Sequence, residues 1–436
     1  MIVNLKRCFS KRIHASGAEN GRRFSWVYSV LPFNVAIGPI GTLVQLLILQ
    51  LKGSVVDVGL AVTLFNLVSI PAAMIWGFVT DNFHRRKPII VASYMATAML
   101  ILSFLFVKTI NEISVLYALL SFVTAASTTP LNLLVMETER KNKWATTFAR
   151  LSMTASLGQT LGLIISTFWS YLLPLYFLVV PLGVLSMLSA GLSAFMIKEP
   201  HVIFERHIMV MDRHSFLQRL QALPYIFFRI PKIGDFRKIF RTMRFELARQ
   251  HLLLYLSVFM FYLSSGLFNT SIVPSLQAKQ ISDMLIFLAV ALAIICQMMS
   301  FRYAGPYCER NPLIKVATRA LVLRSICYGV IGASAYLLYG TLYLIPALIF
   351  LPLGAGLAYS LYYTSSYVII FNTLEDRHQG SSLGVFSALV GIAIMLGSLI
   401  SGFMSFHLGF HVTFAFAAIF LIVSAWLLLK VKPLVL

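Results

Sequence analysis

Asp81, Arg85, Arg86 and Lys87 stand close together in the stretch GFVTDNFHRRK, Gly77 to Lys87. One carboxylate beside three cations offers a chemistry of charge pairing, in which salt links form, break and form again. A second acid–base pair follows at Glu309 and Arg310. Gly77 and Gly305 stand at the same interval before their acids, Gly-x-x-x-acid in both places. A weaker echo links TERKNKWATTFAR, Thr138 to Arg150, with LEDRHQGSSLGVF, Leu374 to Phe386; each puts acid before base, then small hydroxyl residues. Such clusters face water, pair or gate a passage, because an unpaired charge is too costly to bury in a core.

Other chemistries find no residues to carry them. His407 and His411 are four apart, a spacing that can hold a metal, but no acid or cysteine joins them and no metal is expected. Cys8, Cys296, Cys308 and Cys327 form no CxxC pair and read as free thiols. No nucleophile triad, P-loop or dinucleotide fingerprint is present, so neither an enzyme nor a cofactor is expected.

The elements that must position the charged clusters are long and apolar. Of 436 residues, 59% are hydrophobic and 11% charged, against roughly 25% charged in an ordinary soluble domain. Mean hydropathy is +0.84. Runs of the ~20 residues that cross a bilayer fall near 25–51, 55–80, 88–107, 111–136, 146–172, 174–197, 248–273, 281–304, 313–338, 341–371, 380–406 and 408–430. They are continuous rather than alternating, which argues against a β-barrel. The expected fold class is an all-α integral membrane protein with twelve transmembrane helices.

The net charge of +20 does not point to nucleic acid. The cations lie in short segments between apolar runs, as the positive-inside bias predicts, and no separate basic domain exists. Lys6, Arg7, Lys11, Arg12, Arg22 and Arg23 precede a run too long for a cleaved signal peptide, so a cytoplasmic N-terminus is expected. Twelve spans return the C-terminus to the cytoplasm. Only Lys52, Lys108 and Lys279 then fall in external loops, and the other 32 of 35 Lys/Arg lie at or inside the cytoplasmic face. A multi-pass protein of the cell membrane, acting as a monomer, is expected.

The expected domains are a basic N-terminus (1–24), a six-helix bundle (25–197), a basic amphipathic linker (198–247), a second six-helix bundle (248–431) and a tail (432–436). Between Lys198 and Arg249 eleven cations face five acids and interleave with Phe, Leu and Ile. That pattern suits amphipathic helices on an anionic leaflet; a solvated linker is the alternative.

The 6+6 plan, the charged central loop and the loop after the second span together resemble the major facilitator superfamily. The family pattern runs Gly-x-x-x-Asp-x-x-Gly-Arg-Arg/Lys. Gly77, Asp81, Arg85 and Arg86 match it, while His84 stands where the second glycine is usual. The resemblance implies two six-helix pseudo-repeats and a secondary or facilitative transporter of a small molecule working by alternating access. It also implies that Asp81 meets the start of the eleventh helix at Gly380-Ser381-Ser382, and Glu309 the fifth near Thr146-Thr147. Arg85 and Arg86 would clamp neighbouring acids or carbonyls. Gly77, without a β-carbon, lets two helices approach closely. The alternatives are charges that only enforce topology, a transporter-fold sensor or scaffold, and a polytopic enzyme.

Polar residues recur at helical spacing on every third segment: Asn34, Gly38, Gly41 and Gln45; Thr124, Thr128 and Asn132; Tyr262, Ser265 and Asn269; Tyr359, Tyr363 and Ser366. In the resembled family these helices line the central cavity; in any bundle such residues also serve as interhelical glue. All fifteen acids fall near segment ends or in loops. With no mid-membrane carboxylate to relay protons or hold a cation, the cargo is expected to be neutral or anionic rather than cationic. Glu137 and Glu139 are the nearest candidates for coupling. Arg324 intrudes into the ninth segment. It is expected to snorkel to the cytoplasmic surface; the alternative is that it faces inward and attracts an anion. Gly158-x-x-x-Gly162 is expected to allow close helix packing.

Overall fold

The computed structural model describes residues 26–82, 85–138, 144–197, 249–373 and 379–431. Twelve helices in it are long and apolar enough to cross a membrane, and no strand occurs among the described residues. They are α1 (Trp26–Gln50), α2 (Val55–Asn82), α3 (Arg86–Ser103), α4 (Ile110–Thr138), α5 (Trp144–Leu172) and α6 (Val179–Met196). The second set is α7 (Arg249–Ala278), α8 (Asp283–Arg310), α9 (Leu313–Leu337), α10 (Gly340–Ile370), α11 (Gln379–Leu408) and α12 (Phe410–Leu429). Each falls on one of the twelve apolar runs. The linker 198–247 and the termini 1–24 and 432–436 lie outside the described residues.

The helix order gives the molecule two ends. Arg85–Lys87, Arg249, Arg310, Lys315 and Lys430 gather at one, here the basic face; Lys52, Lys108 and Lys279 sit in turns at the other, the far face. Far-face acids are used as helix caps. The Ser54 backbone N–H donates to Asp57 Oδ2 at 2.7 Å, and the Asp57 N–H donates back to Ser54 Oγ at 3.3 Å. Thr109 and Glu112 repeat this reciprocal cap at the start of α4, where the Lys108 N–H donates to Glu112 Oε2 at 2.9 Å. Both carboxylates also complement the positive end of the helix dipole.

The packing pattern repeats with a shift of six helices. In the first half α2 packs on α4, α3 on α4 and α6, and α1 on α5 and α6. In the second half α8 packs on α10, α9 on α10 and α12, and α7 on α11 and α12. The two most extensive contacts that join the halves, α2 with α11 and α5 with α8, are themselves exchanged by the same shift. The echo of Gly-x-x-x-acid is therefore one trace of a repeat that governs the whole bundle.

Apolar side chains gain nothing by leaving lipid for one another, so small and polar residues must hold these helices together. Ser257 and Ser424 share a hydroxyl contact at 3.0 Å, and Ser264 Oγ donates to the Ala417 carbonyl at 2.7 Å, tying α7 to α12. Ser271 meets Ser405 at 2.7 Å on α11. Glycines bring backbones together: a Cβ on Gly266 of α7 would stand 2.5 Å from the Ile394 carbonyl oxygen on α11, and one on Gly158 of α5 would stand 2.6 Å from Asn34 Cβ on α1. The glycine pair of α5 thus packs closely, as its spacing predicts.

Candidate functional site: a cleft between the bundles

The halves meet toward the far face. A Cβ on Gly59 of α2 would lie 2.8 Å from Gly402 Cα on α11. Gln50 Nε2 at the end of α1 donates to Asp283 Oδ2 at the start of α8, at 2.9 Å. One apolar cluster runs through both halves here, from Leu43 and Val58 to Phe268 and Phe287. Toward the basic face the apolar packing of the described residues divides. Trp26, Val30, Phe33, Tyr94 and Leu134 form a cluster of their own, entirely within the first half.

The glycines of the two charged motifs lie toward the basic face. A Cβ added at Gly77 or Gly305 would meet nothing within 4 Å. The expectation that Gly77 marks a close helix approach is corrected: the close approach falls at Gly59 and Gly402, nearer the far face. Arg86 donates to the Thr80 carbonyl at the end of α2, a clamp on a helix C-terminus. Arg85 is exposed just before α3, and Glu309 and Arg310 are exposed at the end of α8. Asp81 closes the last turn of α2 and Glu137 that of α4; their side chains, with His84 and Glu139, lie outside what is described.

Asn269 is the clearest sign of a polar space between the bundles. Every residue from Phe261 to Leu276 on α7 is buried except Asn269, which is exposed. Because α7 packs on α1, α2, α8, α9, α11 and α12, that exposure opens into a space inside the bundle. Thr128 and Asn132, either side of Pro130 on α4, are exposed as well. Asn34 is half-buried and spends its amide on the Val30 carbonyl at 2.9 Å. Gln45 departs from the expected stripe. It is 8% exposed, in the joined far half, and its Oε1 has no partner.

Tyr262, Tyr359 and Tyr363 come together in an aromatic wall of the second half. Tyr363 stands 5.7 Å from Tyr359 and 4.4 Å from Tyr367 between ring centroids. Phe261 stacks on Tyr362 at 3.9 Å and meets Tyr262 edge-on at 5.0 Å. Sequence reasoning missed Phe261, Tyr328, Tyr362 and Tyr367. The spacing of Tyr359, Tyr363 and Tyr367 by fours was a readable signal; Phe261 and Tyr328 were hidden among apolar neighbours.

Arg324 sits behind this wall and is 2% exposed, so the expectation of snorkelling is overturned. It lies eleven residues into α9, about 16 Å along the helix axis, too deep for a side chain to reach the surface. Aromatic faces receive the charge instead. Its Cζ lies 4.6 Å from the Phe261 centroid, 5.1 Å from Tyr328 and 5.3 Å from Tyr359; such contacts are worth about 2 kcal/mol or more when desolvated. Nε donates to the Tyr328 hydroxyl at 2.8 Å, while Nη1 is buried with no partner. Cys296, Cys308 and Cys327 are free thiols.

A family model described as Major Facilitator Superfamily matches residues 24–245 and 254–435 of this chain. No curated protein matches it. Solved structures share its fold across nearly their whole length. A mutant of peptide transporter POT in complex with sulfate superposes with a TM-score of 0.72 at 11% identity, covering 94% of each chain. A bacterial homolog to the human lysosomal transporter Spinster, in an inward-facing and occupied conformation, gives 0.65 at 14% identity, covering 94% of this chain and 96% of its own. A mutant of nucleoside transporter NupG gives 0.64 at 13% identity, covering 94% and 98%.

Proposed function

The chain belongs to the Major Facilitator Superfamily, and on that premise we propose that it carries a small molecule across the cell membrane by alternating access, with its basic face in the cytoplasm. It is a multi-pass membrane transporter. The excess of Lys and Arg on the basic face supports the orientation, since cations are retained on the cytoplasmic side. Both bundles and the cleft belong to one chain, which supports a monomer as the unit of transport.

One observation carries the reading. Contacts between the bundles join α2 to α11 at Gly59 and Gly402, while Gly77 and Gly305 stand free at the opposite end. A pair of rigid bundles packed backbone to backbone near one end has a second arrangement available, packed near the other. In that arrangement Asp81 would reach the N-terminus of α11 and Glu309 that of α5, and the charges would hold the basic face shut. Arg85, Arg86 and Arg310 would add contacts to carbonyls, as Arg86 already does at Thr80.

The cargo is neutral or anionic. Arg324 supplies a buried cation behind Phe261 and Tyr359, and the described membrane-spanning segments place no carboxylate opposite it. Asn269, Thr128 and Asn132 offer polar contacts across the cleft. Glu137, in the last turn of α4, and Glu139, two residues further along the sequence, are the candidates for ion coupling. The basic and aromatic sequence of 198–247 suits it to an anionic leaflet.

A single cysteine at Asn269, with the native cysteines replaced by serine, tests the scheme in sealed vesicles. A membrane-impermeant maleimide is expected to label it rapidly from the basic face and more slowly from the far face. Asp81→Asn, which weakens the closed basic face, is expected to lower the far-face rate a further 2- to 5-fold, the effect of about 0.3–1 kcal/mol at a helix terminus. Labelling from one face only, in both proteins, would overturn alternating access.

A further inference from the structure

A second site lies away from the cleft, on the outside of the second bundle. Helices α8, α9 and α10 enclose a groove of about 860 Å³. Its floor is apolar, formed by Leu292, Leu348, Leu357 and Leu361. Its basic-face end is lined by Tyr303, Tyr307, Arg310 and Arg319, all exposed. From Leu292 to Arg310 the groove follows α8 for roughly 27 Å, and one leaflet with its headgroups is about 20–22 Å thick.

The floor is made by an irregularity in α10. Pro352–Ala358 is wound as a π-helix, which Pro352 opens by withholding a backbone N–H. Two glycines let that segment press inward. A Cβ on Gly354 would stand 2.9 Å from Cys327 Cβ on α9, and one on Gly356 would stand 2.8 Å from the Ala293 carbonyl oxygen on α8. The helix is drawn in at this level, and the trough is left in front of it.

We propose that this groove binds one anionic phospholipid of the basic-face leaflet, with an acyl chain in the trough and the phosphate between Arg310 and Arg319. The chemistry of the two ends selects this occupant. An apolar trough this long takes a hydrocarbon chain. Two guanidinium groups at the level of the headgroups match a phosphate by charge and by paired N–H donors. Tyr303 and Tyr307 stand where aromatic rings favour the membrane interface. A zwitterionic lipid fits the trough equally well but cancels much of the attraction to the arginines, so the site discriminates by headgroup charge. Glu309, beside Arg310, does not line the groove.

Native mass spectrometry of the delipidated full chain in detergent tests the site, with phosphatidylglycerol and phosphatidylcholine of identical chains as probes. Phosphatidylglycerol is expected to be retained about 10-fold better, each cation near an anionic headgroup contributing up to about fivefold. The double variant Arg310→Gln/Arg319→Gln is expected to remove that preference while leaving the melting temperature within a few degrees. Leu361→Trp, which fills the trough and keeps both arginines, is expected to lower retention of both lipids. Equal retention by the unaltered protein, or a preference that survives the double variant, would overturn the proposal. Retention unchanged by Leu361→Trp would do so too, because the lipid would then rest on charge alone.

Discussion

Gly59→Val is expected to drive the protein out of the arrangement described here and toward the one open at the far face. The added Cβ would stand 2.8 Å from Gly402 Cα and 3.1 Å from Gly402 N and the Ser398 carbonyl oxygen. All three are backbone atoms, which no rotamer change can move aside. Overpacking of this kind costs about 1–3 kcal/mol. Because the clash exists only while the bundles touch at the far face, the cost falls on one state and shifts the equilibrium about 5- to 150-fold. Far-face labelling of the cysteine at Asn269 should rise accordingly, at unchanged folded yield. Gly397→Val is the contrasting case. Its Cβ would abut the Leu263 carbonyl oxygen and Gly266 Cα, a contact between α7 and α11 inside one bundle. There the cost falls on folding itself, and a lower melting temperature is expected with no redistribution of labelling.

Arg324→Met is expected to abolish recognition of an anionic cargo without weakening the fold. A guanidinium buried with one unpartnered nitrogen is not an efficient way to stabilise a core. Replacing such a charge with an apolar side chain of similar length is neutral or stabilising in comparable settings. The melting temperature of the unliganded variant should therefore hold or rise. The stabilisation conferred by anionic compounds in a thermal-shift screen should be largely lost, with affinity falling about 10- to 100-fold, the attraction of one charge acting through the aromatic wall from about 6–10 Å at an effective dielectric of about 20. Arg324→Lys keeps the charge but loses the planar stack on Phe261 and Tyr359, and should be intermediate. The opposite pattern, a large loss of melting temperature with ligand stabilisation intact, would make Arg324 a structural pin.

The twelve helices were legible because each is a run of apolar residues bounded by charge, and that pattern responds to the membrane more than to the fold. The repeat was legible in outline from two glycine–acid pairs. What those glycines do was not. Gly77 and Gly59 look alike in sequence, and only the packing of α2 on α11 shows that Gly59 carries the contact. Arg324 looks like a surface-seeking cation in sequence because two of its aromatic partners, Phe261 and Tyr359, come from helices far from it in the chain. The same dispersal hid Phe261, whereas Tyr359 and Tyr363 could be found because they share a helix; Tyr328, four residues after Arg324 on α9, was within reach of the same reasoning. The groove beside α8 had no sequence signature beyond Pro352, since its walls are assembled from three segments.

If the bundles exchange which end they share, a reversible lock at one end should trap one state, whatever the cargo. Gln50 and Asp283 are joined across the bundles at the far face by a 2.9 Å hydrogen bond. Cysteines at both positions, in a protein whose only other cysteine replaces Asn269, can be oxidised to a disulfide and then reduced. Oxidation is expected to leave labelling of the Asn269 cysteine from the basic face intact and to abolish labelling from the far face, and reduction to restore it. Far-face labelling that persists at the same rate in the oxidised protein would rule out an exchange of ends.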